Sequence, residues 1–453
     1  MSAKMTQSMD NLPPAFPAPA WWQLVRFAGD PLGLLDAAQR RYGDTFTLRI
    51  PGNGPFVMLG DPKAVREVFQ ADPDVLHSGE ANSIFTATVG RHSVLVLDGA
   101  PHMRQRRVLV PPLKGERMRL FFESMRSETL DAVRSWPIGT AFSTLPSMRR
   151  ITLRVILRSG LGLTPCPMLD RFEQKMEAFL SHGRQRYALL WMTIIPIERL
   201  SGSRWVPLFR QLRDLDDDIF TLIAARRRGE QCADGPNVLD DLLAARYDDG
   251  APLGDQEVRD ALITILIAGH ETTALSLSWA LTDIAEHPQV AGRLVDELTR
   301  VTGGGLPSAE QLSELEYLDA VIRESLRLHS VAPFVVRKTM RPFAVCGREY
   351  PAGVVLCPCS YLVHRRAELY PSPDRFLPDR FLERKFGLHE WFPFGGGNRI
   401  CLGMPFAMYE MRVLIATLLG QVRIARPVGA RSRARRYGIV LGPDDGGRIV
   451  VQR

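Results

Sequence analysis

A proline-free segment from Asp255 to His287 most constrains what this chain can fold into. The segment begins with a capping-type aspartate and ends just before Pro288, so the sequence predicts one continuous helix of roughly 50 Å at ~1.5 Å per residue. Between Ala261 and Gly269 it is apolar on nearly all sides, which is typical of a helix buried in a core. The rest of the chain is therefore expected to pack around it.

The remaining sequence favours one large unit, residues 1–453, rather than several domains. The chain has ordinary globular composition, with 45% hydrophobic and 24% charged residues, and contains no linker, low-complexity block or fixed-period repeat. Alternating residues at 45–50 and 56–59 flank Pro51-Gly52-Asn53-Gly54, which predicts a β-hairpin. We therefore expect a mainly α fold with small β-sheets, of the α+β class.

The N-terminal residues 1–20 carry four prolines and only scattered apolar residues. They lack a signal peptide's apolar run and the ~20 residues that span a bilayer, so we expect a flexible segment and no transmembrane anchor. Trp21 and Trp22 follow, and core packing is favoured for them over contact with a membrane surface. Six cysteines without regular spacing suit a reducing compartment, which predicts a cytoplasmic protein.

Charge and cysteine spacing give little support to two other classes of site. The net charge is +7, but the densest basic stretch, 423–436, has six arginines and no aromatic residue among them on which bases could stack, so no nucleic-acid partner is predicted. Cys357-Pro-Cys359 with His364 resembles half of a zinc site. Without a second matching pair this signal is weak, so no zinc site is predicted.

Within the long helix the pattern changes abruptly at Ala268-Gly269-His270-Glu271-Thr272-Thr273. Glycine weakens a helix and a threonine hydroxyl can bond to the backbone, so a local distortion is predicted. A carboxylate and a hydroxyl at the centre of an apolar helix are costly unless they are paired or used. Glu271 and Thr272 are therefore candidates for proton handling, against the plainer interpretation that they reach solvent or fill space.

Two further helices carry charged pairs at helical spacing. A helix predicted from Ser308 to about Leu328 places Glu324 and Arg327 on one face, followed by an apolar stretch, 331–336, that lines a pocket or begins a strand. A basic helix start places His102 and Arg106 one turn apart.

The segment 394–403, FGGGNRICLG, is a glycine-rich loop leading into a helix predicted over 402–419. Cys401 then lies at a helix N-terminus, which is expected to lower the pKa of its thiol and to stabilise a metal-binding thiolate. The glycines let the backbone approach a flat ligand, and Arg399 can pair with a carboxylate. A small core cysteine is the alternative, but it does not need this combination of residues.

These segments together resemble the cytochrome P450 family. Residues 394–403, with Ala407, resemble its haem-binding signature, and 268–273 resemble its oxygen-activating helix motif. Glu324 to Arg327 resembles its E-x-x-R pair, and Pro378 to Phe381 its later proline/arginine motif. The motifs occur in the family's order, and the resemblance covers residues 255–420 well and the rest more loosely.

The resemblance implies a cofactor, haem b (iron protoporphyrin IX), and a role for each matching residue. Cys401 would be the axial thiolate ligand of the iron, within a cofactor loop that includes Phe394 and Gly395. The groups expected to hold the haem propionates are Arg399, Arg337, His102 and Arg106. A buried charge network is expected from Glu324, Arg327 and Arg380. Thr272 would hydrogen-bond dioxygen and Glu271 would deliver protons, whereas His270 receives no role. The substrate pocket is expected to include Ala268, Val331, Phe334 and Val335, with the stretches 77–94, 187–197 and 263–268.

The implied activity is that of a bacterial soluble-type monooxygenase, which uses dioxygen and two external electrons to hydroxylate or epoxidise a lipophilic molecule. Fatty acids, terpenoids, steroids and polyketides all qualify as substrates. Because the chain ends soon after Cys401, a separate ferredoxin or flavodoxin with its reductase is expected, docking on a basic face of Arg104, Arg107, Lys114 and Arg412. The alternatives are a peroxide-using or isomerising haem-thiolate enzyme, or a non-catalytic haem sensor or carrier; the intact Glu271–Thr272 pair disfavours all of these.

Overall fold

The proline-free segment forms a single helix, Asp255–Glu286, in the computed structural model of the chain. The structure describes residues 12–51, 54–163, 167–184, 206–230 and 235–452. Most side chains of the helix are buried, as predicted. The predicted distortion is wrong, because the helix runs through Gly269 without interruption. The Thr272 hydroxyl donates to the carbonyl oxygen of Ala268, one turn earlier, so it is satisfied within a regular helix.

The other elements surround this helix. The α-helices among the described residues are α1 Ala20–Gly29, α2 Pro31–Tyr42, α3 Pro62–Gln70, α4 Thr86–Val89, α5 Gly99–Leu109, α6 Phe122–Arg134, α7 Leu145–Leu161, α8 Pro167–Gly183, α9 Pro207–Arg227, α10 Val238–Ala244, α11 Asp255–Glu286, α12 Pro288–Thr302, α13 Glu316–Leu328, α14 Ser360–Val363, α15 Arg380–Glu383 and α16 Met404–Leu419. The strands are β1 Thr45–Arg49, β2 Pro55–Leu59, β3 Leu76–His77, β4 Ala141–Ser143, β5 Arg337–Thr339, β6 Phe343–Val345, β7 Arg348–Tyr350, β8 Val355–Pro358, β9 Arg423–Ala425, β10 Ala434–Tyr437, β11 Val440–Pro443 and β12 Arg448–Gln452.

The strands form small sheets at the edges of the helical mass, so the α+β prediction is confirmed. The largest described sheet has the order β1-β2-β8-β5-β3, in which β1 and β2 are the predicted hairpin and β2 pairs in parallel with β8. A second sheet has the order β4-β12-β9, and β10 pairs with β11 and β6 with β7 as two-stranded ribbons. The parallel pairing joins the N-terminal hairpin to a strand some 300 positions later in the chain.

The main apolar core surrounds α11 and is separate from a smaller core under the large sheet. Apolar side chains of α6, α7, α13 and α16 pack in the cluster that contains α11. Within the described part of the chain, α11 alone has the length and apolar composition to cross a membrane, and 72% of its most apolar window is buried inside the protein. That degree of burial is expected of a core helix.

Residues 12–19 lie against the large sheet rather than extending freely. Thr47 of β1 donates from its backbone nitrogen to Pro14 and from its hydroxyl to Pro13, both at 2.8 Å. The prediction of a flexible segment over residues 1–20 is therefore wrong for the described residues from 12 onward. Core packing of the tryptophans is also wrong, because Trp21 is 64% and Trp22 37% exposed on α1.

The helix α13 begins later than predicted. Gln311–Glu314 is a single 3₁₀ turn, Leu315 interrupts the helical backbone, and α13 starts at Glu316. Its first N–H groups are capped from outside, since the buried carboxylate of Glu297 on α12 accepts from the backbone nitrogens of Tyr317 and Leu318 at 2.7 and 3.0 Å. No side chain of the preceding turn caps these groups.

We expect Glu297→Ala to lower the free energy of unfolding by about 1–3 kcal/mol, because two buried N–H groups would lose their acceptor. Urea unfolding followed by circular dichroism measures the change. The neighbouring Asp296→Ala is the control, since Asp296 is exposed on the same helix. Equal effects of the two substitutions would contradict the capping role.

Candidate active site

The loop that carries Cys401 closes on itself before α16 begins. The backbone nitrogen of Cys401 donates to the carbonyl oxygen of Phe394 at 3.0 Å, and Gly397–Arg399 forms a 3₁₀ turn between them. The backbone N–H groups of Gly403 and Met404 donate to the sulfur. The thiol therefore sits at the start of a helix, with N–H donors directed at it.

The expected lowering of the Cys401 pKa is wrong for the protein by itself. Burial raises the pKa of the thiol, while the two N–H donors and the charge of Arg106 act in the opposite direction without outweighing it. The side chain is nevertheless accessible to solvent. Both observations fit a side chain that faces an internal space, where a bound metal ion would deprotonate the thiol outright.

The glycines of the loop are required by packing as much as by a ligand. A Cβ on Gly396 would overlap the ring of Phe69 on α3, and one on Gly397, whose φ is +66°, would overlap the Phe69 carbonyl oxygen. Gly395 lies against the side chain of Val335. The first half of the chain thus forms one wall of the cofactor loop, a contact that sequence reasoning missed.

The predicted propionate-binding residues come together beside Cys401. Burial and the neighbouring Arg399, Arg106 and Arg337 lower the pKa of His102 to about 3. Burial, followed by the charge of Arg399, lowers the pKa of Arg337 to about 9. Burial likewise lowers the pKa of Arg399 to about 10, although the carboxylate of Asp98 opposes the shift. His102 is therefore neutral near pH 7, and the three arginines repel one another wherever an anion does not compensate them.

This donor set fits haem. A buried cluster of cations with one nearby acid, Asp98, is costly unless anionic groups share the space, and haem brings two propionates. Ala268 on α11 is exposed although α11 is buried along most of its length, and Thr272, one turn later, is partly exposed. A thiol, basic side chains and an open helix face are the parts that a haem-thiolate site needs.

Comparison with known proteins decides the family. Residues 12–443 match the model of the family described as Cytochrome P450. The chain belongs to the cytochrome P450 family. It is 36% identical over 449 residues to cytochrome P450 135B1 of Mycobacterium bovis, covering 99% of this chain and 92% of that one. It is also 36% identical over 444 residues to cytochrome P450 138 of the same species, covering 98% and 97%.

Solved structures show the same fold. The retinoic-acid-bound cyanobacterial CYP120A1 superposes with a TM-score of 0.84 at 22% identity, covering 97% of this chain and 99% of that one. The haem domain of cytochrome P450DA gives 0.84 at 23% identity, covering 97% of both. This P450 is accordingly a haem-binding oxidoreductase of the monooxygenase class.

The E-x-x-R residues form a fully buried network in this P450. Arg327 donates to both oxygens of Glu324 at 2.7 and 2.9 Å, and Arg380 donates to Glu324 at 3.0 Å. Arg327 also donates to the carbonyl oxygens of His364, Pro373 and Arg375. The network therefore fixes the stretch 371–377 against α13.

One histidine, His364, extends this network to the cofactor loop. Nε2 of the buried His364 accepts from the backbone nitrogen of Phe392 at 3.0 Å, two residues before Phe394. Burial lowers the pKa of His364 well below its usual value and raises those of the Cys357 and Cys359 thiols. Within the described ranges no group of three His, Cys, Asp or Glu side chains could hold a metal ion.

Glu271 does not contact Thr272 but lies on another side of α11. Its carboxylate accepts from Arg149 on α7 and, at 2.8 Å, from Nε of Arg184 at the end of α8. His270, which received no role, is fully buried in the same cluster, with Nδ1 bonded to Thr152 and Nε2 accepting from Arg184 at 3.0 Å. Arg149 and Arg184 were missed, since nothing in the local sequence links them to Glu271.

The expected substrate-pocket residues separate into two groups. Val335 borders the cofactor loop and Ala268 is open on α11, whereas Val331 belongs to the main core. Phe334 packs on Phe27 of α1, with ring centroids 5.9 Å apart, and so faces the N-terminal core. The stretch 331–336 forms no strand, because β5 begins at Arg337. The predicted pocket stretch Tyr187–Ile197 lies outside the described residues.

The predicted basic docking face is largely neutralised. Arg104, Arg107 and Arg412 pair with Asp249, Asp248 and Asp319. Lys114 is exposed. Arg104 and Arg107 each have a carboxylate partner, and Arg412 shares Asp319 with Arg323, so this face has a weaker positive field than the sequence suggested.

We expect Glu324→Gln to destabilise the protein by about 3–5 kcal/mol, because two buried guanidinium groups would lose their counter-charge. Chemical unfolding and the haem content after purification measure the loss. Glu314→Gln, at an exposed site on the preceding turn, is the matched control and should stay within about 0.5 kcal/mol of the parent. Full haem content and unchanged stability in Glu324→Gln would contradict this role.

The buried His270 should make the protein acid-sensitive. Burial, followed by the charges of Arg184 and Arg149, lowers its pKa to about 3, against 6.5 in the unfolded chain. As the pH falls from 6.5 toward 3, only the unfolded chain binds this proton, so stability is lost by up to ~1.4 kcal/mol per pH unit. His270→Gln should show a correspondingly shallower decline in unfolding free energy between pH 6.5 and 4. Parallel curves for the two proteins would contradict the assignment.

Proposed function

We propose that this P450 activates dioxygen with two electrons from a separate protein and hydroxylates or epoxidises a lipophilic small molecule. Cys401 is the residue proposed to bind the haem iron through its thiolate. The side chains proposed to hold the propionates are His102, Arg106, Arg337 and Arg399. The observation that carries the proposal is that both the carboxylate of Glu271 and the hydroxyl of Thr272 are present on α11. Thr272 presents a hydroxyl on the open face of α11, and the carboxylate of Glu271 lies one residue away among basic side chains.

Bound haem would supply the redox chemistry that inserts one oxygen atom into the substrate. The Thr272 hydroxyl donates a hydrogen bond to the carbonyl oxygen of Ala268. Its oxygen lone pairs can therefore accept a hydrogen bond from a group in the pocket. In this orientation Thr272 would act in the pocket as a hydrogen-bond acceptor rather than as a donor.

Glu271 would pass protons from solvent to the pocket, from the side of α11 that faces α7 and α8. Its carboxylate is held by Arg149 and Arg184, with a side chain 11% exposed, so it is oriented away from Thr272. For proton transfer to the pocket it must exchange one guanidinium partner for water. Arg149 and Arg184 are accordingly proposed as positioning residues that keep this acid in reach of solvent-derived protons.

A lipophilic substrate is supported by the lining near the cofactor loop. Ala268 and Val335 are the proposed contact residues that border the site, and neither carries charge. A separate electron carrier, a ferredoxin or flavodoxin with its reductase, is proposed because the reaction of a P450 monooxygenase needs two external electrons. Location in the cytoplasm is proposed with that partnership.

The carbon monoxide difference spectrum of the reduced protein tests the ligand. A thiolate-type spectrum that disappears in Cys401→Ala supports the site, and a histidine-type spectrum in intact protein contradicts it. Turnover with a surrogate ferredoxin and reductase then distinguishes reductive oxygen activation from the alternatives. Product formation with peroxide alone would favour a peroxide-using enzyme, and no turnover under either condition would favour a sensor.

We expect Thr272→Ala to keep reductant consumption within about threefold of the parent while product per electron pair falls ~10-fold or more, because the pocket loses its positioned hydroxyl. Hydrogen peroxide release measures the diverted electrons. Ser276→Ala is the matched control. Ser276 lies one turn after Thr272 on the same helix, and its hydroxyl donates to the Thr272 carbonyl oxygen as that of Thr272 donates to Ala268. Unchanged product yield in Thr272→Ala would contradict the role.

A further inference from the structure

A cluster of buried polar residues near the start of α11 has no part in the proposed proton or cofactor chemistry. Arg259 and Thr264 are 4% and 9% exposed and Asp260 is fully buried, in a stretch of the helix that is otherwise apolar. Buried polar groups are costly unless paired, so their partners indicate what they do. Arg259 pairs with Asp216 on α9 and reaches the Thr88 carbonyl oxygen at 3.4 Å, whereas Asp260 and Thr264 hold residues 86–98, which we call the bridging segment.

Asp260 holds the bridging segment by its backbone. Its carboxylate accepts from the backbone nitrogen of His92 at 3.0 Å, and also from Gln256 and Arg259 on its own helix. Gly90 has φ +84°, and a Cβ there would overlap the Asp260 carboxyl group. The segment can approach α11 this closely only because this position is glycine.

A pair of buried hydroxyls makes the second attachment. The Thr264 hydroxyl donates a hydrogen bond to the carbonyl oxygen of Asp260. In the 2.7 Å hydrogen bond between the two hydroxyls, Ser93 is therefore the donor and Thr264 the acceptor. The Ser93 oxygen in turn accepts from the backbone nitrogen of Leu95 at 3.2 Å. Both hydroxyl protons of this pair are therefore assigned, and the pair joins the bridging segment to α11 by one directed hydrogen bond.

The other end of the bridging segment is attached to the cofactor loop. Arg399 donates to the carbonyl oxygens of Val94 and Leu97 and pairs with Asp98. Thr264 precedes Ala268, the open position of α11, by one helical turn, and so lies on the same face. The segment thus spans from the helix that carries Thr272 to the loop that carries Cys401.

We propose that Ser93, Thr264 and Asp260 are specificity-determining positioning residues, which fix the bridging segment over the haem pocket and thereby limit the size of ligand it admits. The proposal rests on the proposed haem site but requires no electron transfer. None of the three residues needs to touch the ligand. Releasing the segment should favour bulky ligands over small ones that bind at the iron.

Azoles test this without knowledge of the substrate, because their nitrogen binds ferric haem and shifts its absorbance. Haem-loaded Thr264→Val, Ser93→Ala and the double variant are titrated with imidazole and with clotrimazole. We expect the affinity for clotrimazole relative to imidazole to rise ~5-fold in each variant, as expected for one lost buried hydrogen bond, with no further rise in the double variant. Amide exchange of residues 86–98 should quicken in parallel.

The matched control is Thr282→Val. Thr282 is buried on α11 and donates to the Ser278 carbonyl oxygen in the same way, but lies far along the helix from the bridging segment. It should change neither the azole ratio nor exchange of residues 86–98. The proposal is overturned if both azoles change by one factor, or if exchange of the segment is unaltered.

A second variant and assays that need no reductant separate this proposal from poor folding and from the proposed function. Ser93→Ala breaks the same bond from the segment side and leaves α11 unchanged, so poor folding of Thr264→Val does not obscure the result. Azole binding and amide exchange need no reductant, so absence of turnover would count against the proposed reductive function alone. An unchanged azole ratio in proteins that do turn over would count against the bridging segment alone.

Discussion

The buried carboxylate of Glu324 is the interaction on which the rest of the site depends. Its single negative charge is shared by Arg327 and Arg380, and Arg327 also donates to three backbone carbonyls of the stretch leading to the cofactor loop. Through His364 the same network reaches Phe392, directly before the loop. A buried ion pair contributes little net stability, but removing one partner is strongly destabilising. We infer that this network therefore serves to hold the Cys401 loop in one geometry.

Local sequence patterns predicted those parts of the fold that local forces determine. The span of α11, the β1–β2 hairpin and the glycine loop before α16 each follow from periodicity, capping and turn residues in one stretch of chain. The start of α13 was missed because its cap, Glu297, is supplied by another helix. The anchoring of residues 12–19 was missed because their partners lie on β1.

In the site, too, local motifs predicted which residues take part but not which residues surround them. The motifs located Cys401, Glu271 and Thr272, but their surroundings come from distant segments that no spacing reveals. Arg149 reaches Glu271 across 122 positions and Arg399 reaches Val94 across 305. The pKa of Cys401 could not be judged from its helix N-terminus alone, since burial outweighs the N–H donors. Charge counts likewise overstated the docking face, because each arginine there has an acidic partner outside its own segment.

The contact between Phe69 and Gly396–Gly397 has a consequence for how the protein is made. The wall of the cofactor loop is contributed by a helix that leaves the ribosome more than 300 residues earlier. Contacts of such long sequence separation are expected to form late in folding. Haem capture should therefore wait until the two ends of the chain have met, so that during synthesis the nascent N-terminal part must remain without its cofactor and its final packing partner.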